Sequence, residues 1–209
     1  MQVVLASGSP RRQELLKYIF PEFQVIPAVG EEKRLPGESP EQLVCRLALE
    51  KAQEVWDRLT QSQTENYSQQ GDAGQAIYRK DEGLLVIGGD TVVALEGEVF
   101  GKPSDPQDAA RMLEKLSDKT HQVYSGTAVI YKGHREVFCS CSQVTFYPLD
   151  HREIQRYIST GEPMGKAGAY AIQGQGMMLV KEISGSYPGI VGLPVAHLKR
   201  KLEDMGIDL

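Results

Sequence analysis

The chain has 209 residues, enough for one domain or one domain with a lobe. Its 41% hydrophobic content suits an ordinary core and excludes wholesale disorder, and its net charge of -5 argues against a general nucleic-acid binder. No apolar stretch approaches the roughly 20 residues of a membrane span and no secretory leader opens the chain, so no membrane partner and a cytoplasmic location are expected.

Val3 to Leu5 reads as a first strand, and Ser9-Pro10 as a helix start, with serine as N-cap and proline at the first helical position. Arg11 and Arg12 then put two positive charges in the first turn, where the helix dipole is already positive. Either they are solvated surface arginines, or the Ser7–Ser9 loop and the helix start bind an anion such as phosphate. Phe23 to Val29 reads as a short strand, followed by a loop with Glu31, Glu32 and Lys33. Ser39-Pro40-Glu41-Gln42 is a capping box opening a helix to about Arg58. On that helix Lys51 falls in the middle of an apolar stripe of Val44, Leu47, Ala48 and Val55. A lysine there either snorkels or reaches from the core side toward a bound anion.

The polar composition of 60–82 suits a flexible insertion within one domain spanning 1–209. Leu84 to Leu95 is an apolar run, read as buried strand, interrupted by Gly88-Gly89-Asp90-Thr91. An aspartate there is costly to bury without a partner, a metal or a proton, unless the glycines make a turn. Glu96-Gly97 reads as a hairpin turn leading to Gly101-Lys102-Pro103. Asp105-Pro106 caps a helix whose apolar face is Ala109, Met112, Leu113 and Leu116. Residues 122–131 and 136–147 read as a long antiparallel hairpin, and Asp150 as the cap of a helix ending at Thr160-Gly161. The stretch 160–174 is dense in glycine, which lets backbone approach a ligand closely. A short strand over 180–183, a loop over 185–192 and a helix over 194–205 complete the chain. Cys45, Cys139 and Cys141 show no disulfide framework, and the four histidines do not cluster at metal-ligand spacing.

Ala6-Ser7-Gly8-Ser9-Pro10-Arg11-Arg12, Glu32, Lys51, Gly89-Asp90-Thr91, Gly101-Lys102-Pro103, Thr160-Gly161-Glu162-Pro163, Lys166 through Gly174 and Gly192-Leu193-Pro194 occur in the order of, and together resemble, the Maf family of nucleoside triphosphate pyrophosphatases. The resemblance covers the chain except 60–82. It implies an elongated α/β fold with a central mixed sheet flanked by helices, and two lobes with a cleft. It implies hydrolysis of dTTP and UTP to the monophosphate and pyrophosphate with a divalent cation, Mg or Mn. Asp90 matches the general base. Arg11, Thr91 and Gln173 match base-selectivity positions, and Ser7, Arg12, Glu32, Lys51 and Lys102 match polar cleft positions. The Lys166-Ala167-Gly168-Ala169-Tyr170 and Ile172-Gln173-Gly174 form resembles the family's branch acting on dTTP and UTP; Gly165 departs from it, because that branch commonly has aspartate before the lysine.

The residue chemistry agrees with that implication. Arg11, Arg12, Lys51 and Lys102 form a counter-set for a triphosphate. Glu32 and Asp90 suit Mg²⁺, which favours carboxylates, water and substrate phosphates. A carboxylate can ligate the metal or act as base, and that division stays open. Gln173 offers a donor and an acceptor to the edge of a pyrimidine. A 7-methyl-GTP pyrophosphatase of the same family and a non-catalytic nucleotide-sensing regulator of cell division stand as alternatives, and the choice between monomer and homodimer stays open.

Overall fold

The computed structural model describes residues 1–65 and 83–209, with side chains of 61–65 left aside. Its frame is a seven-stranded mixed sheet. Strand β1 (Gln2–Leu5) pairs in parallel with the two-residue β2 (Gln24–Val25) on one side and with β3 (Leu84–Leu95) on the other. The long strands β3, β5 (Thr120–Tyr131) and β6 (His134–Phe146) run antiparallel in succession, and β7 (Val180–Ser184) adds to the outer edge of β6. The strand read over 23–29 shrinks to β2, because its partner β1 ends at Leu5, opposite Val25.

The buried strand read over Leu84 to Leu95 is present with those bounds, and the alternative of a turn at Gly88–Thr91 is not taken. Strand β3 is continuous for 12 residues, and every one of Leu85 to Ala94 has a partner on β5. The glycines serve packing instead of a turn. A Cβ on Gly88 would lie 2.2 Å from the Ala48 carbonyl oxygen, and one on Gly126 would lie 2.3 Å from that of Val44. Both belong to helix α2 (Pro40–Glu65), so the two glycines let that helix rest directly on the sheet. Helix α2 carries the start of the insertion read at 60–82; the remainder of that segment lies outside the described residues.

The period-two alternation of β3 sorts its side chains between two layers. Leu84 and Val86 join the α2-side core of Ala48, Ala52 and Val55. Leu85 and Ile87 join the opposite core, with Leu16 of helix α1 (Pro10–Leu16) and Leu198 and Leu202 of helix α6 (Val195–Asp204). Further along, Val93 and Leu95 enter a third core with helices α3 (Pro106–Leu116) and α4 (His151–Ser159) and the short α5 (Tyr187–Val191). The four apolar positions expected on α3 are all buried, and Asp150 caps α4 through the full capping box with Glu153. The loop read over 185–192 contains α5, which Ser186 caps.

The edge of β3 opposite β5 is covered in two pieces. Strand β1 covers 84–87, and β4 (Glu98–Phe100) folds back over 93–95. Between them, Gly88 to Val92 face no strand among the described residues. That gap, at the C-terminal end of β1 and the start of α1, is where ligands enter sheets of this kind.

Candidate active site

A cleft of about 880 Å³ opens at this gap, a size that suits a nucleotide-scale ligand. The Ser7–Arg12 segment, Glu32, Lys51, Asp90–Val93, Gly101–Lys102 and Gly165–Ala167 line it. A cleft is what the family resemblance implies.

Asp90 follows Gly88 on the α2 face of β3 and is 6% exposed. Its Oδ1 accepts a 2.6 Å hydrogen bond from Lys51 Nζ, which also lies 2.7 Å from Glu32 Oε1. Lys51 therefore neither snorkels to water nor waits alone for an anion: it bridges two carboxylates. Burial raises the Glu32 carboxyl, but the Lys51 hydrogen bond and charge, with Lys102 and Arg12, outweigh it and hold the group below the usual range. Glu32 is ionised at neutral pH, and its side chain remains 44% exposed.

Thr91 points the other way, as its neighbour in a strand must. The Arg12 guanidinium spreads its fork over this face: Nε donates to the Gly192 carbonyl at 2.9 Å, Nη1 to Ser7 Oγ at 3.0 Å and Nη2 to Thr91 Oγ1 at 3.0 Å. Ser125 Oγ donates to the Gly189 carbonyl at 2.7 Å, which uses its only proton. The 2.9 Å contact between Thr91 and Ser125 must then run from Thr91 to Ser125, leaving Thr91 to accept from Arg12. Arg12 is thus a structural clamp between β3, α1 and α5 as well as a cleft cation. Burial lowers its pKa, with Asp90 and Glu32 opposing and Arg11 adding to the effect. Gly89 is needed here too, since a Cβ would stand 3.0 Å from Arg12 Nε.

Of the nine site residues expected from sequence, Ser7, Arg11, Arg12, Glu32, Lys51, Asp90, Thr91 and Lys102 line one cleft. Gln173 does not. It is half-buried and outside the lining, whereas its neighbour Ile172 is part of it. The sequence reading also missed Lys166 and Tyr170, which do line the cleft. The glycine-dense stretch marked their segment, but not which side chains turn inward. Tyr170 is held from behind by buried His121, whose Nε2 lies 2.8 Å from the tyrosine hydroxyl. Burial lowers His121 to about 4, so the ring is neutral.

Cys45 and Cys139 hydrogen-bond to one another between α2 and β6, and all three cysteines are free thiols. Burial pushes Cys139 up to about 12, which keeps it an inert thiol. Among the described residues no three His, Cys, Asp or Glu side chains gather as a self-sufficient metal site, and no helix is long and apolar enough to cross a membrane.

A mixed α/β sheet with a cationic cleft at a strand end, floored by a lysine-bridged carboxylate pair, defines a class of protein that handles polyanionic small molecules. The chain belongs to the Maf family: the family model described as Maf-like protein matches residues 2–205. It is 44% identical over 213 residues to a protein of Agathobacter rectalis named dTTP/UTP pyrophosphatase, covering all of this chain and 99% of that one. A Bacillus velezensis protein of the same name is 40% identical over 206 residues, covering 99% of this chain and 97% of that one. Among solved structures, the Ham1 protein of Staphylococcus aureus is similar at 17% identity, over 93% of this chain and 85% of that one, with a TM-score of 0.44, a likeness too loose to compare sites.

Proposed function

We propose that this protein hydrolyses dTTP and UTP to the monophosphate and pyrophosphate, with Asp90 as general base. The observation that carries the reading is the Lys51-bridged pair, Asp90 and Glu32, set on the floor of a cleft with Arg11, Arg12 and Lys102. The names of the full-length relatives support the same reaction and pyrimidine substrates.

The cation side of the cleft takes the triphosphate. Arginine forks suit phosphate oxygens, and lysine acts as a compact charge. Asp90 is oriented by Lys51 and sits at the uncovered edge of β3, where water can reach it. It accepts a proton as the water oxygen bonds to the α-phosphorus. The bond from that phosphorus to the bridging oxygen breaks, and pyrophosphate departs with the electron pair. Lys51 stays hydrogen-bonded to the acid and steadies it through the proton transfer.

The donor chemistry fits a divalent cation. Glu32 and Asp90 are hard oxygen ligands held one ammonium apart, with Glu32 open to the cleft, and Mg²⁺ commonly joins one or two carboxylates to substrate phosphates. When bound, Mg²⁺ or Mn²⁺ would neutralise charge on the polyphosphate.

The purified protein with Mg²⁺ or Mn²⁺ and a panel of triphosphates tests the proposal. Pyrophosphate release is expected from dTTP and UTP. Turnover confined to 7-methyl-GTP would reject the substrate, and binding without turnover of any triphosphate would reject the reaction in favour of a sensor.

A further inference from the structure

The cleft lining is mixed in chemistry. Lys51 is bonded to Asp90 and Glu32, and the charge of Arg12 acts on both carboxylates and that of Lys102 on Glu32, whereas Tyr170, Ile172 and Ala167 contribute apolar lining next to Lys166. A flat, neutral base belongs against such a lining and the phosphates against the cations. The position of the wall therefore bears on which base is accepted, and a network behind it holds that position.

Glu162 lies just past the end of α4. Its Oε1 accepts from the Tyr157 hydroxyl and the Gly176 N–H, both at 2.9 Å, and its Oε2 accepts from the Gln175 N–H at 2.9 Å. Tyr157 is buried on α4, and its oxygen in turn accepts from the Ala171 N–H at 3.1 Å. The network thus grips the chain at 171 and again at 175–176, and bridges the stretch carrying Ile172 and Gln173. Two glycines are shaped to it. Gly174 has φ 71°, and a Cβ there would meet Glu162 Oε2 at 2.5 Å; one on Gly176 would meet the Ala171 carbonyl oxygen at 2.2 Å and the Tyr157 hydroxyl at 2.6 Å. A carboxylate accepting three charge-assisted hydrogen bonds is a firm anchor for an otherwise irregular segment.

We propose that Glu162 and Tyr157 are positioning residues that set the cleft wall carrying Tyr170 and Ile172, and so govern which nucleobase is accepted. The inference rests on the pyrophosphatase reading. Neither residue hydrogen-bonds to Arg12, Lys51 or Lys102; the charge of Glu162 is felt at Arg11 and Lys166, while the hydrogen bonds of both residues act on base discrimination through the wall. Fixing a site wall through supporting hydrogen bonds is a common source of specificity, since small displacements change which edge contacts are made.

The test uses the full chain with Glu162→Gln and, separately, Tyr157→Phe, which removes one hydroxyl and keeps the ring. Steady-state kinetics are measured with UTP, dTTP and CTP, and inorganic triphosphate serves as a competitive inhibitor that lacks a base. For Glu162→Gln, KM for UTP should rise about tenfold, and the ratio of kcat/KM for UTP over CTP should fall about fivefold. The inhibition constant of inorganic triphosphate should stay within about twofold in Tyr157→Phe, which leaves every charge of the cleft in place, and should change less than KM for UTP in Glu162→Gln. Tyr157→Phe should move KM and the ratio in the same direction by less, and the double variant should fall short of the product of the singles, as members of one network do. An unchanged UTP to CTP ratio would overturn the proposal, as would equal loss of triphosphate inhibition and UTP affinity, or failure of both variants to fold. A wild-type protein that cleaves none of the nucleotides would instead overturn the pyrophosphatase reading itself.

Discussion

Asp90→Asn separates the chemistry of the cleft from its architecture. The substitution keeps the shape and an oxygen that can accept from Lys51, but removes the charge and the ability to take a proton. The Asp90 and Lys51 side chains are 8% and 15% exposed, so this is a buried pair. Stripping one partner from such a pair costs about 3–5 kcal/mol when the other is left as a bare charge. Lys51 is not left bare, because Glu32 Oε1 remains 2.7 Å from its ammonium. The expected cost is therefore that of weakening one charged hydrogen bond, about 1–2 kcal/mol. In a chain of this length that lowers Tm by about 2–8 °C. Turnover of UTP should fall by about 10³-fold, the contribution of a positioned general base. Pyrophosphate release under saturating nucleotide and thermal unfolding are measured on the same preparation. A rate within about tenfold of wild type would refute Asp90 as the base. A Tm loss beyond about 12 °C would show that Glu32 does not keep Lys51 paired.

Three further outcomes follow from other parts of the structure. Gly88→Ala would drive a Cβ into the Ala48 carbonyl, so α2 must lift from the sheet; a loss of about 3 kcal/mol in urea unfolding is expected, against under about 0.5 for Gly101→Ala, where nothing lies within 4 Å. Arg12→Lys keeps the charge but cannot reproduce the three-way fork to Gly192, Ser7 and Thr91, so kcat/KM should fall about 10–100-fold, with near-wild-type kinetics as the refuting result. His121 is neutral in the fold with its pKa down to about 4, while an unfolded histidine binds a proton from about pH 6.5 downward. The unfolded state thus holds more protons in that window. Stability should fall from about pH 6.5 toward 4 and the contribution should level off below, a total on the order of 3 kcal/mol. Urea midpoints at pH 7 and 5 should lie closer together in His121→Phe than in wild type.

Helix starts were the most legible feature of this chain because their chemistry is local. Ser9-Pro10, Asp105-Pro106 and Asp150 each cap the helix expected of them, through hydrogen bonds to a backbone N–H three residues on. The Gly88–Thr91 segment left a turn open beside the buried strand, because glycine pairs serve turns and close packing alike. Only the approach of α2, which is distant in sequence, decides between the two. The start of α5 was missed for a related reason: a five-residue helix has too few positions to show a period.

By itself the sequence determined that Lys51 and Asp90 fall within apolar runs, which left each with two outcomes: a snorkelling or an anion-facing lysine, and a turn aspartate or a buried one that needs a partner. It also placed the charged and glycine-rich segments from which the cleft is made. It could not determine that Lys51 satisfies Asp90 and Glu32 together, that Arg12 clamps Thr91 instead of simply facing solvent, or that Ile172 and not Gln173 reaches the cleft wall. Those outcomes depend on the register of β3 against β1 and β5 and on the rotation of the loop held by Glu162. Both are set by contacts between residues far apart in the chain, which local propensity and periodicity do not encode.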